Sequence, residues 1–234
     1  MKRSVISQYD QLKGRMEGYA AMLYYRYANL CIKADELSLL PIVIVVEGET
    51  KKFEDVANVA KDGEYAFKIF PKYDDDLEAV SMGITHEHPE FKQERKTLEV
   101  QTEDGKNVEI PYLLVTMPPV DNDRHDVLKQ GTDALYQECK AQMEAAKTQA
   151  EAEIAMLMAG ESKDAIDNVN DAVKELIKTW TEKRDQLHDQ KLKEIDDALA
   201  HYLQGKQQEE QERHESEEAA GDGGNSLDLS KMAG

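Results

Sequence analysis

The stretch THEHPE (85–90) sets two imidazoles, His86 and His88, two residues apart around Glu87. In a β-strand, residues i and i+2 share a face, so both rings would point the same way and could hold a metal ion. No third ligand with motif spacing follows, and Pro89 favours a loop. The segment is read as a surface loop, and no metal is assigned. Cys31 and Cys139 are the two cysteines, each embedded in apolar residues at helical spacing. They are too few for a disulfide framework or a four-cysteine zinc site and read as buried thiols. The chain has no G-x-S-x-G, P-loop, H-E-x-x-H or paired Cys-His arrangement. No enzymatic activity, cofactor or small-molecule substrate is therefore expected.

Apolar residues make up 40% of the 234 residues, charged residues 33%, and the net charge is −19. That balance argues against coating nucleic acid, which needs a basic footprint. A few aimed cations can still contact phosphates. The first forty residues carry six basic and four acidic side chains, so this segment is not acidic. No apolar run approaches the roughly 18–20 residues that span a bilayer, so no membrane association is expected. The start MKRSVISQYD has no apolar stretch behind its basic residues and is not read as a secretory signal.

Three long segments must position whatever these residues do. Val5, Tyr9, Leu12, Met16, Tyr19, Leu23, Tyr27, Leu30, Ala34 and Leu37 recur at steps of 3 and 4. They predict one helix that stops before Pro41. Tyr24 and Tyr25 lie beside that seam and are candidates to stack on a base or a partner. Leu128, Leu135, Cys139, Met143, Ala146, Ala150, Ile154 and Leu157 predict a second helix, with Asp121 as its N-cap and Gly160 as its stop. Ile166, Val169, Val173, Leu176, Trp180, Leu187, Ile195, Leu199 and Tyr202 predict a third. Each helix carries one narrow apolar seam, which packing all three together would bury.

Between the first two helices the pattern changes. PIVIVVEGE (41–49) reads as a buried strand and YAFKIFPKY (65–73) as a half-buried one. FEDVANVA (53–60) and DDDLEAVSMGI (74–84) read as short helices. TLEVQ (97–101) and VEIPYLLVTM (108–117) read as a hairpin turning at Asp104-Gly105. The expected fold class is α+β, a long three-helix bundle with a small inserted β/α/β domain. The domain bounds are 1–40 for helix one, 41–119 for the insertion and 120–206 for helices two and three. The acidic stretch 207–234 is read as a disordered tail.

This order of elements, with three local matches, resembles the ribosome recycling factor family. TMPPVDNDRHDVL (116–128) is similar to the family's P-L-P-P-L-T-E-E-R-R-K-D-L and keeps Pro118, Pro119, Arg124 and Leu128. LHDQKLKEIDDALA (187–200) resembles L-T-D-x-x-I-K-K-I-E-x-A-L-A. LSLLPIVIVV (37–46) resembles S-L-L-D-x-I-x-V with one residue of slippage. The resemblance implies an L-shaped molecule whose bundle lies against large-subunit ribosomal RNA. It also implies that the inserted unit swings on hinges at Leu40-Pro41 and Pro118-Pro119. A translational GTPase of the elongation factor G type would push on that unit and split the ribosome after termination.

The resemblance and the charge together give an RNA-facing set: Arg15, Arg26 and Lys33 on helix one, with Arg124, Lys129, Lys140 and Lys147 on helix two. There are departures. CIKAD (31–35) stands where the family has R-T-G-R-A, leaving Lys33 as the cation. Family arginines along helix two align with Asp133, Lys140, Glu144, Lys147 and Thr148. The arginine fork is lost even where charge remains. The reversed charges raise an alternative, a structural or assembly factor of a ribosomal subunit without recycling activity. Divergence and the acidic tail are read as pointing to the mitochondrial matrix, with a bacterial cytoplasm as the alternative.

Overall fold

Apolar side chains at steps of 3 and 4 along three helices meet in one core. The computed structural model describes residues 2–101, 105 and 107–221. Helix α1 (Arg3–Ala28) buries Val5, Leu12, Met16, Ala20, Leu23 and Tyr27. Helix α4 (Asn122–Leu157) faces it with Cys139, Met143, Ala146, Ala150 and Ile154. Helix α5 (Lys163–Gly221) completes the cluster with Val169, Val173 and Leu176, and Trp180 packs against its edge. Burying a side chain such as Leu12 or Leu23 contributes about 1.5–3 kcal/mol. The Asp121 carboxylate accepts the Arg124 backbone N–H at 2.9 Å and caps α4. Gly160, at φ +83°, makes the turn between α4 and α5 that a side chain would strain.

Helix α1 stops at Ala28, well before Pro41. Cys31 takes φ +52°, a left-handed conformation no α-helix continues through. Asp35 then caps a separate 3₁₀ turn (Glu36–Leu39) by accepting the Leu37 N–H at 3.0 Å. Leu30, Ala34 and Leu37 keep the expected spacing without belonging to the helix.

The chain from 43 to 116 forms two antiparallel sheets. Strands β1 (Val43–Val46) and β2 (Glu49–Lys52) form a hairpin whose two turn residues, Glu47 and Gly48, both have positive φ. That geometry matches the right-handed twist of paired strands. Only Phe53–Val56 (α2) is helical in the segment expected to be a helix, and Ala57–Lys61 is strand β3. Strands β4 (Ala66–Pro71), β5 (Lys92–Gln101) and β6 (Asn107–Thr116) join β3 in the order β3-β4-β6-β5. The turn residues 102–104 and 106 lie outside the described residues, so the expected Asp104-Gly105 turn is not described.

Helix α3 (Leu77–Glu87) covers the core formed by Ile42, Ile44, Phe67, Ile69, Leu113 and Val115. A third, smaller cluster sits where this unit meets the helices: Ile32, Val120, Leu128, Ile195 and Ala198.

Helix α5 extends to Gly221, past the boundary at 206 expected for the tail. Described side chains from Glu209 to Ser216 are exposed, so this extension has no packed face. Residues 222–234 lie outside the described residues.

Candidate RNA-facing surface and hinge

Most of the expected RNA-facing cations have acceptors within the protein. Arg15 donates to Gln149 Oε1 at 2.7 Å, and Arg26 pairs with Glu138 at 2.5 Å, both across the α1–α4 seam. Lys129 pairs with Asp196 at 2.8 Å, linking α4 to α5. Lys147 pairs with Glu144 at 3.0 Å one helical turn away, and that contact raises the lysine pKa. Lys33 reaches Glu64 at 3.3 Å, across the junction with the sheet unit. Lys140 is exposed and has no ion-pair partner among the described residues. Surface contacts of this kind contribute about 0–1 kcal/mol, so these side chains can exchange their acceptors for a phosphate at small cost.

Arg124 is different. Its guanidinium is half-buried and donates to the Pro118 carbonyl, to the Pro119 carbonyl at 3.4 Å, and to the Leu30 and Cys31 carbonyls at 3.4 and 3.3 Å. Burial lowers its pKa, partly offset by the nearby Cys31, Glu90 and Asp121. Its planar fork joins the segment leaving α1 to the segment entering α4. With its donors turned onto main-chain carbonyls, Arg124 is a tie between chain crossings.

The outgoing crossing also lies elsewhere than Leu40-Pro41. Leu39 and Ile42, on either side of that pair, are buried in the core of the sheet unit, so the pair belongs to that unit. The crossing is the stretch from Asn29 to Ala34, where Cys31 reverses its φ and Ile32 enters the junction cluster. The return runs through Met117–Val120. Met117 N–H bonds to the Tyr65 carbonyl at 2.8 Å, Pro118 and Pro119 follow, and Val120 is buried. Both prolines lack an N–H, so this link offers few main-chain bonds of its own. Tyr65 packs on His201 of α5, with ring centroids 4.9 Å apart, and a cavity of about 230 Å³ opens between the two crossings and α5.

Further polar contacts tie the helices near this junction. The Tyr27 hydroxyl donates to the Thr132 carbonyl at 3.2 Å and lies 3.1 Å from His188 Nδ1, so one side chain touches all three helices. Burial raises the Tyr27 pKa well above the usual tyrosine value, so it stays a neutral donor. Arg184 is buried against the Tyr136 ring and pairs with Asp185 at 2.6 Å. Two acids on α4 are engaged too: Asp133 lies 3.3 Å from His188, and Glu144 holds Lys147. Tyr27, Arg184 and His188 were not singled out from the sequence as polar links. The register of Tyr27 with Leu23 marked it as core, and nothing local marked its hydroxyl partners. Tyr24 is exposed, and Tyr19 packs against the bundle core.

THEHPE does not form a surface loop throughout. Thr85–Glu87 finish α3, His86 stays exposed, and His88 is buried beside Cys31 and Glu90.

A family model described as ribosome recycling factor matches residues 31–195. The chain belongs to the ribosome recycling factor family. The match begins at the outgoing crossing and takes in the sheet unit, the return crossing, α4 and most of α5. Solved recycling factor structures share the fold. A solution structure of the ribosome recycling factor matches with TM-score 0.63 and 16% identity, over 84% of this chain and 100% of that chain. A structure of the T. thermophilus ribosome recycling factor and the E. coli elongation factor G, built as models bound to the E. coli post-termination complex, matches with TM-score 0.53 and 16% identity. It covers 82% of this chain and 98% of the other. No curated protein matches this recycling factor family member.

Proposed function

We propose that this protein binds between ribosomal subunits and, with a translational GTPase of the elongation factor G type, promotes their separation after termination. The observation that carries the reading is the family match, which runs through both crossings between the helices and the sheet unit. In this reading the bundle lies against large-subunit ribosomal RNA. The sheet unit moves about the Asn29–Ala34 and Met117–Asp121 crossings, which Arg124 keeps side by side in the L-shaped arrangement of the family. The GTPase supplies the free energy, so the protein needs no catalytic residue of its own. Exposed Lys140 and Arg15, and the partly exposed Arg26, Lys129 and Lys147, would meet phosphate oxygens.

The exposed carboxylates of Asp133 and Glu144 support a second reading, a structural or assembly factor that sits on a subunit without splitting ribosomes. Those acids put negative charge on the α4 surface where the family has arginines. One experiment separates the two. Post-termination ribosomes receive the protein, the GTPase and GTP, and subunit splitting is followed by light scattering. Splitting supports recycling. Stable co-sedimentation with an isolated subunit or precursor, without splitting, replaces it with the second reading. No association with any ribosomal particle removes both.

A further inference from the structure

Cys31, His88 and Glu90 come from two distant parts of the chain, yet one ligand atom from each lies within 4.8 Å of the others. Cys31 sits on the outgoing crossing, whereas His88 and Glu90 follow the end of α3. The Cys31 Sγ to His88 Nδ1 separation is 3.8 Å, and His88 Nδ1 to Glu90 Oε1 is 3.3 Å. Tetrahedral zinc with its usual bond lengths of about 2.3 Å to sulfur and about 2.0–2.2 Å to nitrogen and oxygen sets its ligand atoms roughly 3.4–3.6 Å apart. The two separations already bracket that range.

The imidazole is also aimed. His88 Nε2 lies 2.7 Å from the Ser38 carbonyl oxygen, which can only accept, so Nε2 carries a hydrogen. Phe91 stacks on the ring with centroids 4.3 Å apart and planes within 6°. Together they hold Nδ1 toward the sulfur and the carboxylate. A carbonyl behind the distal ring nitrogen is the usual support of a metal-bound histidine. Cys31 takes its place through the left-handed φ of +52°. Its sulfur also lies 3.3 Å from the Asn29 carbonyl. The Glu90 side chain is 41% exposed, which leaves a path for an ion and for a water as fourth ligand.

The geometry points to a binding site for a borderline-soft divalent cation, Zn2+ or Co2+, formed by Cys31 Sγ, His88 Nδ1 and Glu90. Two anionic ligands balance the ion's charge. Binding displaces the thiol proton and any proton shared between His88 and Glu90, so it releases protons to solvent. Mg2+ and Ca2+ prefer all-oxygen sites and are poor occupants of this one. The ion would fasten the outgoing crossing to the end of α3. It would thereby stiffen one of the two links between the helices and the sheet unit. The proposal does not depend on ribosome binding.

The full chain, reduced with a phosphine, is titrated with Co2+ alone and followed by absorption. A single equivalent should give the thiolate-to-cobalt charge-transfer band with visible bands of tetrahedral intensity, and Zn2+ should bleach both. Cys31→Ser and His88→Ala should abolish the bands while the far-ultraviolet dichroism stays helical. Cys139→Ser should keep them, since the Cys139 thiol donates to the Tyr19 carbonyl and belongs to no candidate metal-ligand cluster among the described residues. Glu90→Gln changes an exposed side chain and leaves the fold alone. It should weaken Co2+ binding about tenfold or more and reduce the Zn2+-induced rise in Tm. No charge-transfer band at millimolar Co2+, a band that survives Cys31→Ser, or unchanged affinity in Glu90→Gln each overturns the site.

Discussion

The Arg124 guanidinium, on the first turn of α4, lies 3.3 Å from the carbonyl oxygen of Cys31, 93 residues earlier in the chain. The same side chain reaches Pro118 and Pro119, so it holds the exit from the bundle beside the return to it. A lysine keeps the charge but presents a single point in place of a planar fork. Arg124→Lys should therefore cost about 1.5–3 kcal/mol, the usual scale for a hydrogen bond to a charged group. Urea unfolding measures this. A ribosome-binding assay across salt concentrations supplies the contrast. Lys140→Ala should flatten the salt slope by about one, and Arg124→Lys should leave it unchanged. A flattened slope for Arg124→Lys with unaltered stability would return Arg124 to the phosphate contacts.

Thr132 illustrates a different balance. It is fully buried, its carbonyl accepts from Tyr27, and its own Oγ1 has no hydrogen-bond partner among the described residues. An unpaired buried hydroxyl bears its desolvation cost with nothing in return. Thr132→Val replaces it with a methyl of the same shape and should raise stability by about 1 kcal/mol. Tyr27→Phe should lower stability by about 0.5–1.5 kcal/mol, because it removes the hydroxyl that touches α4 and α5. Opposite shifts of the urea midpoint are expected. A Thr132→Val protein less stable than the parent would mean the hydroxyl is satisfied.

What could be read from the sequence follows from where the physics is local. The three helices were legible because steps of 3 and 4 report a buried face directly, and Asp121 was legible because capping involves neighbours in the chain. The end of α1 was not. Ala34 leaves the helix but is buried in another core, so burial continues the pattern after the helix has stopped. Strand β2 was missed because ETKK buries no side chain and is held by main-chain pairing to β1. Arg124 was recognisable as a cation in a family motif, but its carbonyl partners on Leu30 and Cys31 are tertiary. The same holds for Cys31 and His88, separated by 57 residues with no motif to join them.

Gly83 lets α3 approach the first hairpin. A Cβ at this position would lie 2.9 Å from the Val43 carbonyl oxygen and 3.1 Å from Ile44 Cγ1. Main chain cannot move aside as a flexible side chain does, so α3 would have to lift from β1. Alanine is the better helix former, yet Gly83→Ala should destabilise by about 1–3 kcal/mol because overpacking outweighs propensity. Hydrogen exchange should localise the loss to β1 and α3 and leave the amides around Leu12, Met143 and Val173 as protected as before. A stabilised Gly83→Ala protein would show that this interface has room.

Asp196 on α5 accepts from Lys129 and lies equally close to His125, both at 2.8 Å, and so ties α5 to the first turns of α4. Hydrogen bonding to Lys129, then to His125, holds its carboxyl below the usual aspartate range. A depressed folded-state pKa means that the folded state favours the ionised form. The stabilisation is therefore present above the unfolded value of about 3.9 and disappears as pH falls through the lower folded value. Asp196→Asn keeps the shape and removes the charge. The parent should exceed this variant by no more than about 1 kcal/mol near neutral pH, since the side chain is half-exposed and screened. Urea unfolding at a series of pH values should show the gap closing as pH falls below about 4. It should also narrow in high salt. A gap that stays constant through the acid range would mean that Asp196 acts through packing, and that its charge has no part in holding α5 to α4.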